Sequence, residues 1–220
     1  MNIVMNKPII GILGAGKLGT TLAKLSTKAG YKTLIASSKS ATQIQLTISV
    51  LAPKAIALNA TELKHQADII ILALPLGKYR SIEKDNLQKK IILDAMNYWW
   101  EVDGNNNIYS TKKHSSSELI QQYLPESTVI KALNHMSYHD LQEEAGQGKD
   151  GKRKSIILAG DDQTAILTAA QIVTDFGFDP LVLNSLSQGK ILEPGSPLFG
   201  ADDTKENLRK IVVQELKKLT

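Results

Sequence analysis

The 220-residue chain contains no cysteine. That absence removes disulfide scaffolds, thiol nucleophiles, cysteine-held zinc and iron–sulfur clusters together. Aromatic residues are few, at 5% of the chain, and Arg80, Arg153 and Arg209 are the only arginines among 26 basic residues. The net charge is a mild +4. Acids and bases are interspersed rather than gathered on one stripe, so a nucleic-acid partner is not expected. No apolar run is long. The longest, Ala67–Pro75, carries Asp68 and is too short for a bilayer. The opening residues have no basic segment followed by an extended apolar core, so neither a secretory leader nor a membrane partner is expected, and a cytoplasmic location is. What remains is ordinary globular material, 42% hydrophobic and 22% charged. Its length suits one compact domain or one domain with a small extension.

Short apolar runs alternate with helical patterns. Lys7–Leu13, Lys32–Ser37, Lys54–Leu58, Asp68–Leu74, Lys90–Asp94 and Ser127–Leu133 read as strands. Between them, Lys17–Ala29, residues 39–51 and Thr61–Gln66 read as helices. This alternation predicts an α/β fold of the Rossmann type, doubly wound around a mostly parallel sheet. Strands that are nearly continuous Ile, Leu and Val expect helices on both faces. After residue 134 the pattern changes: a polar loop over 142–154, a strand at Ser155–Ala159, a helix at Asp161–Phe176, a strand at Pro180–Asn184, and a last helix from about Asp203. The expected organisation is a dinucleotide-binding domain over 1–133 and a small α/β extension over 134–220 that caps or continues the sheet. The last helix carries Leu208, Ile211, Val212, Leu216 and Leu219 on one stripe, which can cover the sheet or meet a second copy in a homodimer.

Three places carry chemistry. Gly14-Ala15-Gly16-Lys17-Leu18-Gly19 follows a strand and opens a helix. The spacing permits a tight turn, a close backbone approach to a pyrophosphate, and close helix–strand packing, with free N–H groups at the helix start. Ser37 lies 23 residues beyond Gly14, where NAD binders place an acid. Ser37, Ser38 and Lys39 offer hydroxyls and a cation instead, which favours the 2′-phosphate of NADP(H). Third come the strand ends at Leu74-Pro75, Asn97-Tyr98-Trp99-Trp100 and Asn134-His135, where open parallel sheets bind ligands. Leu74, Pro75 and Asn97 are expected beside the nicotinamide, and Asn134 and His135 beside the reacting partner. His135 and His139, four apart, are not expected to hold a metal, because no third ligand is evident. An S-adenosylmethionine site is disfavoured, because the full glycine spacing is tuned to a pyrophosphate.

Taken together, Gly11–Gly19, Ile35–Lys39, Ile70–Pro75 and Val129–Asn134 resemble the F420-dependent NADP oxidoreductase family. That family is itself similar to the reductase domain of the STEAP metalloreductases and to the N-terminal domain of pyrroline-5-carboxylate reductases. The resemblance implies a Rossmann domain, an NADP(H) cofactor and hydride transfer to a small planar acceptor such as F420 or a flavin. It carries Gly14, Gly16 and Gly19 over to the phosphate loop, and Ser37 to the serine of the family's Ser-Arg pair at the 2′-phosphate. Ser38 stands here where the arginine would be, with the cation of Lys39 next to it. Asn134 and His135 match the strand end facing the acceptor, and His135 would polarise the acceptor or donate a proton. Lys131 and Asn134 have the spacing of the Lys-x-x-Asn pair of β-hydroxyacid dehydrogenases. Here Lys131 lies in a strand pattern, and the likeness is set aside. A binding protein that senses NADP(H) without turnover is the alternative reading.

Overall fold

A computed structural model describes residues 7–111, 114–146 and 151–219. Residues 147–150 of the expected polar loop and the first six residues lie outside these ranges. The first half runs β1 (Ile10–Leu13), α1 (Lys17–Lys28), β2 (Thr33–Ala36), α2 (Ala41–Leu51), β3 (Ile56–Ala57), α3 (Ala60–Gln66) and β4 (Ile69–Leu72). A 3-10 turn at Leu76–Ser81 leads to β5 (Ile91–Asp94), then α4 (Trp100–Asp103), α5 (Ser116–Tyr123), β6 (Thr128–Lys131) and α6 (Tyr138–Glu143). The chain ends through β7 (Ser155–Ala159), α7 (Gln163–Asp175), β8 (Asp179–Leu183), a 3-10 turn at Leu186–Leu192 and α8 (Lys205–Leu216).

The eight strands form one sheet in the order β3-β2-β1-β4-β5-β6-β7-β8. Every pair is parallel except β6 and β7, which meet antiparallel at Lys131 and Ala159. The order steps outward from β1 to β3 and then restarts on the other side at β4. That reversal opens a crevice above the carboxyl ends of β1 and β4. Ile10, Ile12, Ile69 and Ile71 face one apolar layer with Leu22 of α1 and Ile48 of α2. Leu34, Ile70 and Leu72 face the other with Leu63 of α3 and Ile120 of α5. Burial on both faces explains why these strands lack alternation. Strands β7 and β8 continue the sheet. Leu208 and Val212 of α8 close over Ile157, Leu181 and Leu183, Ile211 and Leu216 pack on them partly buried, and Leu219 beyond the helix is 45% exposed.

Helices α4, α5 and α6 were not legible in the sequence. All are short, and α5 is polar on most positions. A reciprocal cap makes α5 instead: Ser115 Oγ accepts from the Glu118 amide (3.2 Å), and the Glu118 carboxylate accepts from the Ser115 amide (2.6 Å). Ser137 Oγ caps α6 by accepting from the Asp140 amide at 3.2 Å, so this helix takes the first two residues of the expected loop.

Candidate functional site

The turn between β1 and α1 is shaped by its glycines. Gly14 has φ of 121°, and a Cβ there would lie 2.2 Å from the Ala73 carbonyl oxygen. A Cβ at Gly19 would lie 1.8 Å from the Gly14 carbonyl oxygen, so the helix can approach the turn only without a side chain. Gly16 differs: a Cβ there would meet nothing within 4 Å, because the residue faces open space. Gly16 is also the N-cap of α1, with no side-chain cap and no acid in the first turn. The helix therefore keeps its free N–H groups and positive end for an external anion. α5 shows the contrast, since its first turn satisfies its own amides.

This turn lies in a cleft of about 550 Å³ over the strand ends. Gly14, Ala15, Gly16, Ser37, Ser38, Lys39, Leu74 and Pro75 line it, which brings together eight of the residues the sequence picked out. Ser37 Oγ accepts from the Lys39 amide at 3.0 Å, which fixes the turn after β2 and leaves Ser38 and Lys39 exposed. Ser40 then starts α2, with its amide donating to the Gln43 side chain at 3.0 Å. No carboxylate stands in residues 37–40.

The far wall of the cleft carries residues that sequence reasoning missed. Asn59, Ala60 and Thr61 after β3 and Ser81, Ile82 and Glu83 after β4 also line it. So do Lys64 and Lys78. Lys64 is almost fully buried and donates to the Glu83 carbonyl oxygen (3.0 Å) and carboxylate (3.3 Å). The available signal was topological: in a parallel sheet every loop at the carboxyl edge faces the same crevice. The cleft thus presents three lysines against one acid.

Other expectations fall elsewhere. Lys17 turns away from this cleft into a groove of about 320 Å³ between α1 and α6, Gly19 is buried, and Leu18 packs on the core. Asn97 is half-buried and bonded to Asn134. Its Nδ2 donates to the Asn134 carbonyl oxygen (2.8 Å), and its Oδ1 accepts from Asn134 Nδ2 (3.0 Å). Asn134 also donates to the Leu192 carbonyl oxygen at 2.8 Å, while its buried Oδ1 has no partner. Asn134 is only 3% exposed, so it ties loops together rather than opening onto the cleft.

His135 corrects the expectation of an acid near the acceptor. It is 1% exposed, and its Nε2 accepts the Ile157 backbone N–H at 3.0 Å. β6 and β7 pair only at Lys131 and Ala159, so this side chain supplies a further link between β7 and the chain leaving β6. Burial pushes the imidazole down to about 4, partly opposed by the backbone of Ala201 and Leu198, although Nδ1 closes no hydrogen bond. At neutral pH this residue is an uncharged structural clamp. It is also unavailable to a metal shared with His139. Among the described residues no group of three His, Cys, Asp or Glu can hold an ion, and no helix is long and apolar enough to cross a membrane.

A doubly wound sheet, an uncapped glycine turn at its reversal point and an acid-free turn after β2 are together the architecture of a dinucleotide-binding fold. Residues 9–98 match the family described as NADP oxidoreductase, coenzyme F420-dependent. The chain is 27% identical to rat metalloreductase STEAP3 over 188 residues, which cover 84% of this chain and 36% of the relative. It therefore spans about a third of that curated relative. A hypothetical protein from Sinorhizobium meliloti superposes with a TM-score of 0.79 at 25% identity, covering 90% of this chain and 96% of the other. A candidate F420-dependent NADP reductase from Arthrobacter sp. FB24 superposes with a TM-score of 0.71 at 20% identity, covering 84% and 88%.

Proposed function

We propose that the protein transfers hydride between NADPH and a small planar acceptor such as F420 or a flavin. The observation that carries this reading is the cleft itself, with an open glycine turn and free helix amides at one point and exposed hydroxyls and a lysine at the other. The amides of Ala15 to Lys17 would take the diphosphate. Ser37, Ser38 and Lys39 would take the 2′-phosphate, while the loops at 59–61 and 81–83 flank the adenosine. Leu74 and Pro75 would guide the nicotinamide half toward Asn97. When bound, the dinucleotide supplies the hydride, so the chain's own task is to hold two rings together and exclude water. That task needs no titrating side chain at the reacting atoms, which suits a protein whose His135 is locked away.

Burial of both His135 and Asn134 also favours a second reading, in which the protein binds NADP(H) as a sensor and catalyses nothing. NADPH oxidation against FMN, FAD, F420 and ferric chelates separates the two. The chelates belong in the panel because the rat relative is called a metalloreductase. Robust turnover with any acceptor excludes the sensor. Tight NADPH binding with no turnover across the panel excludes the reductase.

A further inference from the structure

Beneath the crevice, Lys131 of β6 and Asp94 of β5 are register neighbours, and both are wholly closed to solvent. Lys131 Nζ lies 3.4 Å from Asp94 Oδ2. Two charges withdrawn from water are costly unless their protons and lone pairs are used, and an apolar pair packs such a position at least as well. Here they are used on one residue. Asp94 Oδ1 accepts the Met96 N–H at 3.0 Å, and Lys131 Nζ donates to the Met96 carbonyl oxygen at 2.6 Å. Ser117 Oγ donates to Asp94 Oδ2 at 2.6 Å, and Lys131 reaches Ser116 Oγ at 3.4 Å.

The ion pair therefore grips both peptide units that flank Met96. The next residue is Asn97, which closes its two hydrogen bonds with Asn134. Asn134 lies three residues beyond Lys131, after Leu133, whose φ of 62° is rare for a bulky buried side chain. The ends of β5 and β6 are thus locked in one arrangement above a single buried cation. A hydrophobic pair would fill the same space and leave the Met96 amide and carbonyl without these partners.

We propose that Lys131 is a positioning residue, which, through Met96, fixes the Asn97 turn against the nicotinamide end of the bound dinucleotide. This rests on the proposed function, in which the nicotinamide lies by Asn97. The grip on the adenosine end is separate, so loss of Lys131 disorders one ring and leaves affinity intact.

The test uses Lys131→Met combined with Asp94→Asn, which removes both charges and leaves none unpaired. NADPH affinity is read by calorimetry, and the bound nicotinamide by its fluorescence enhancement. The expected result is an affinity within threefold of wild type, an enhancement cut by more than half, and a kcat at least tenfold lower with KM for NADPH little changed. Wild-type enhancement and kcat in the folded double variant would overturn the proposal and leave Lys131 a structural residue only. Asn97→Ala gives the same readouts from a half-buried position, whether or not the double variant folds. It must reproduce the loss of enhancement at unchanged affinity, and a wild-type signal there breaks the chain of positioning. If wild-type protein bound no NADPH, the functional reading itself would fail, which is a separate result.

Discussion

Acidification should destabilise this fold through His135, and the size of the effect follows from its surroundings. The imidazole is sealed between β6, β7 and the 198–201 loop, and accepts the Ile157 amide through Nε2. That bond needs an unprotonated nitrogen. In the unfolded chain the ring titrates near 6.5, and in the fold near 4. Between those values the unfolded state binds the extra proton, so stability falls as pH falls, and the loss levels off below about 4. Each tenfold difference in proton affinity between the two states is worth about 1.4 kcal/mol. The fold is therefore about 2 kcal/mol less stable at pH 5 than at pH 7 from this residue alone. Urea unfolding of wild type and His135→Gln at both pH values isolates that contribution. The glutamine variant should be less stable at pH 7, because the cavity is no longer filled by the ring. Its loss between pH 7 and pH 5 should be smaller than that of wild type by about 2 kcal/mol. An identical pH dependence in the two proteins would refute the argument. It would mean that water reaches the ring and that the clamp is not sealed.

Other substitutions test the site. Gly16→Ala adds a methyl that meets no protein atom, so apo stability should change by less than about 1 kcal/mol while dinucleotide affinity falls, as read by thermal melts and calorimetry. Gly19→Ala forces a methyl onto the Gly14 carbonyl and should cost about 1–3 kcal/mol of stability in the same melts. Ser38→Asp places an anion on an exposed turn beside the proposed 2′-phosphate. Solvent screening limits the effect to about tenfold weaker NADPH binding with NADH unaffected, and equal losses for both would contradict the assignment.

The fold was legible because its signals are local. Four-residue runs such as Ile69–Leu72 can be buried on both faces only in a covered parallel sheet, and the glycine spacing marks where the first strand must turn. The adenosine-side wall was not legible, since Asn59 and Glu83 come near the glycine turn only through the strand order. His135 misled for a related reason. Its position after a strand end suggested the crevice, but the antiparallel turn of β7 brings the Ile157 amide to its ring and seals it inside. Lys131 sits in a strand, and that position is what carries its ammonium beneath the Met96 turn. A sequence shows that a residue stands at a strand end, and the neighbouring strand decides whether it faces ligand or core.

Titration calorimetry of the wild-type protein with NADPH and with NADH bears most directly on the central claim. Saturable NADPH binding at least tenfold tighter than NADH is the expected result. Equal affinities would remove the 2′-phosphate from the turn at Ser37–Lys39, and no heat with either dinucleotide would contradict the whole assignment of the cleft.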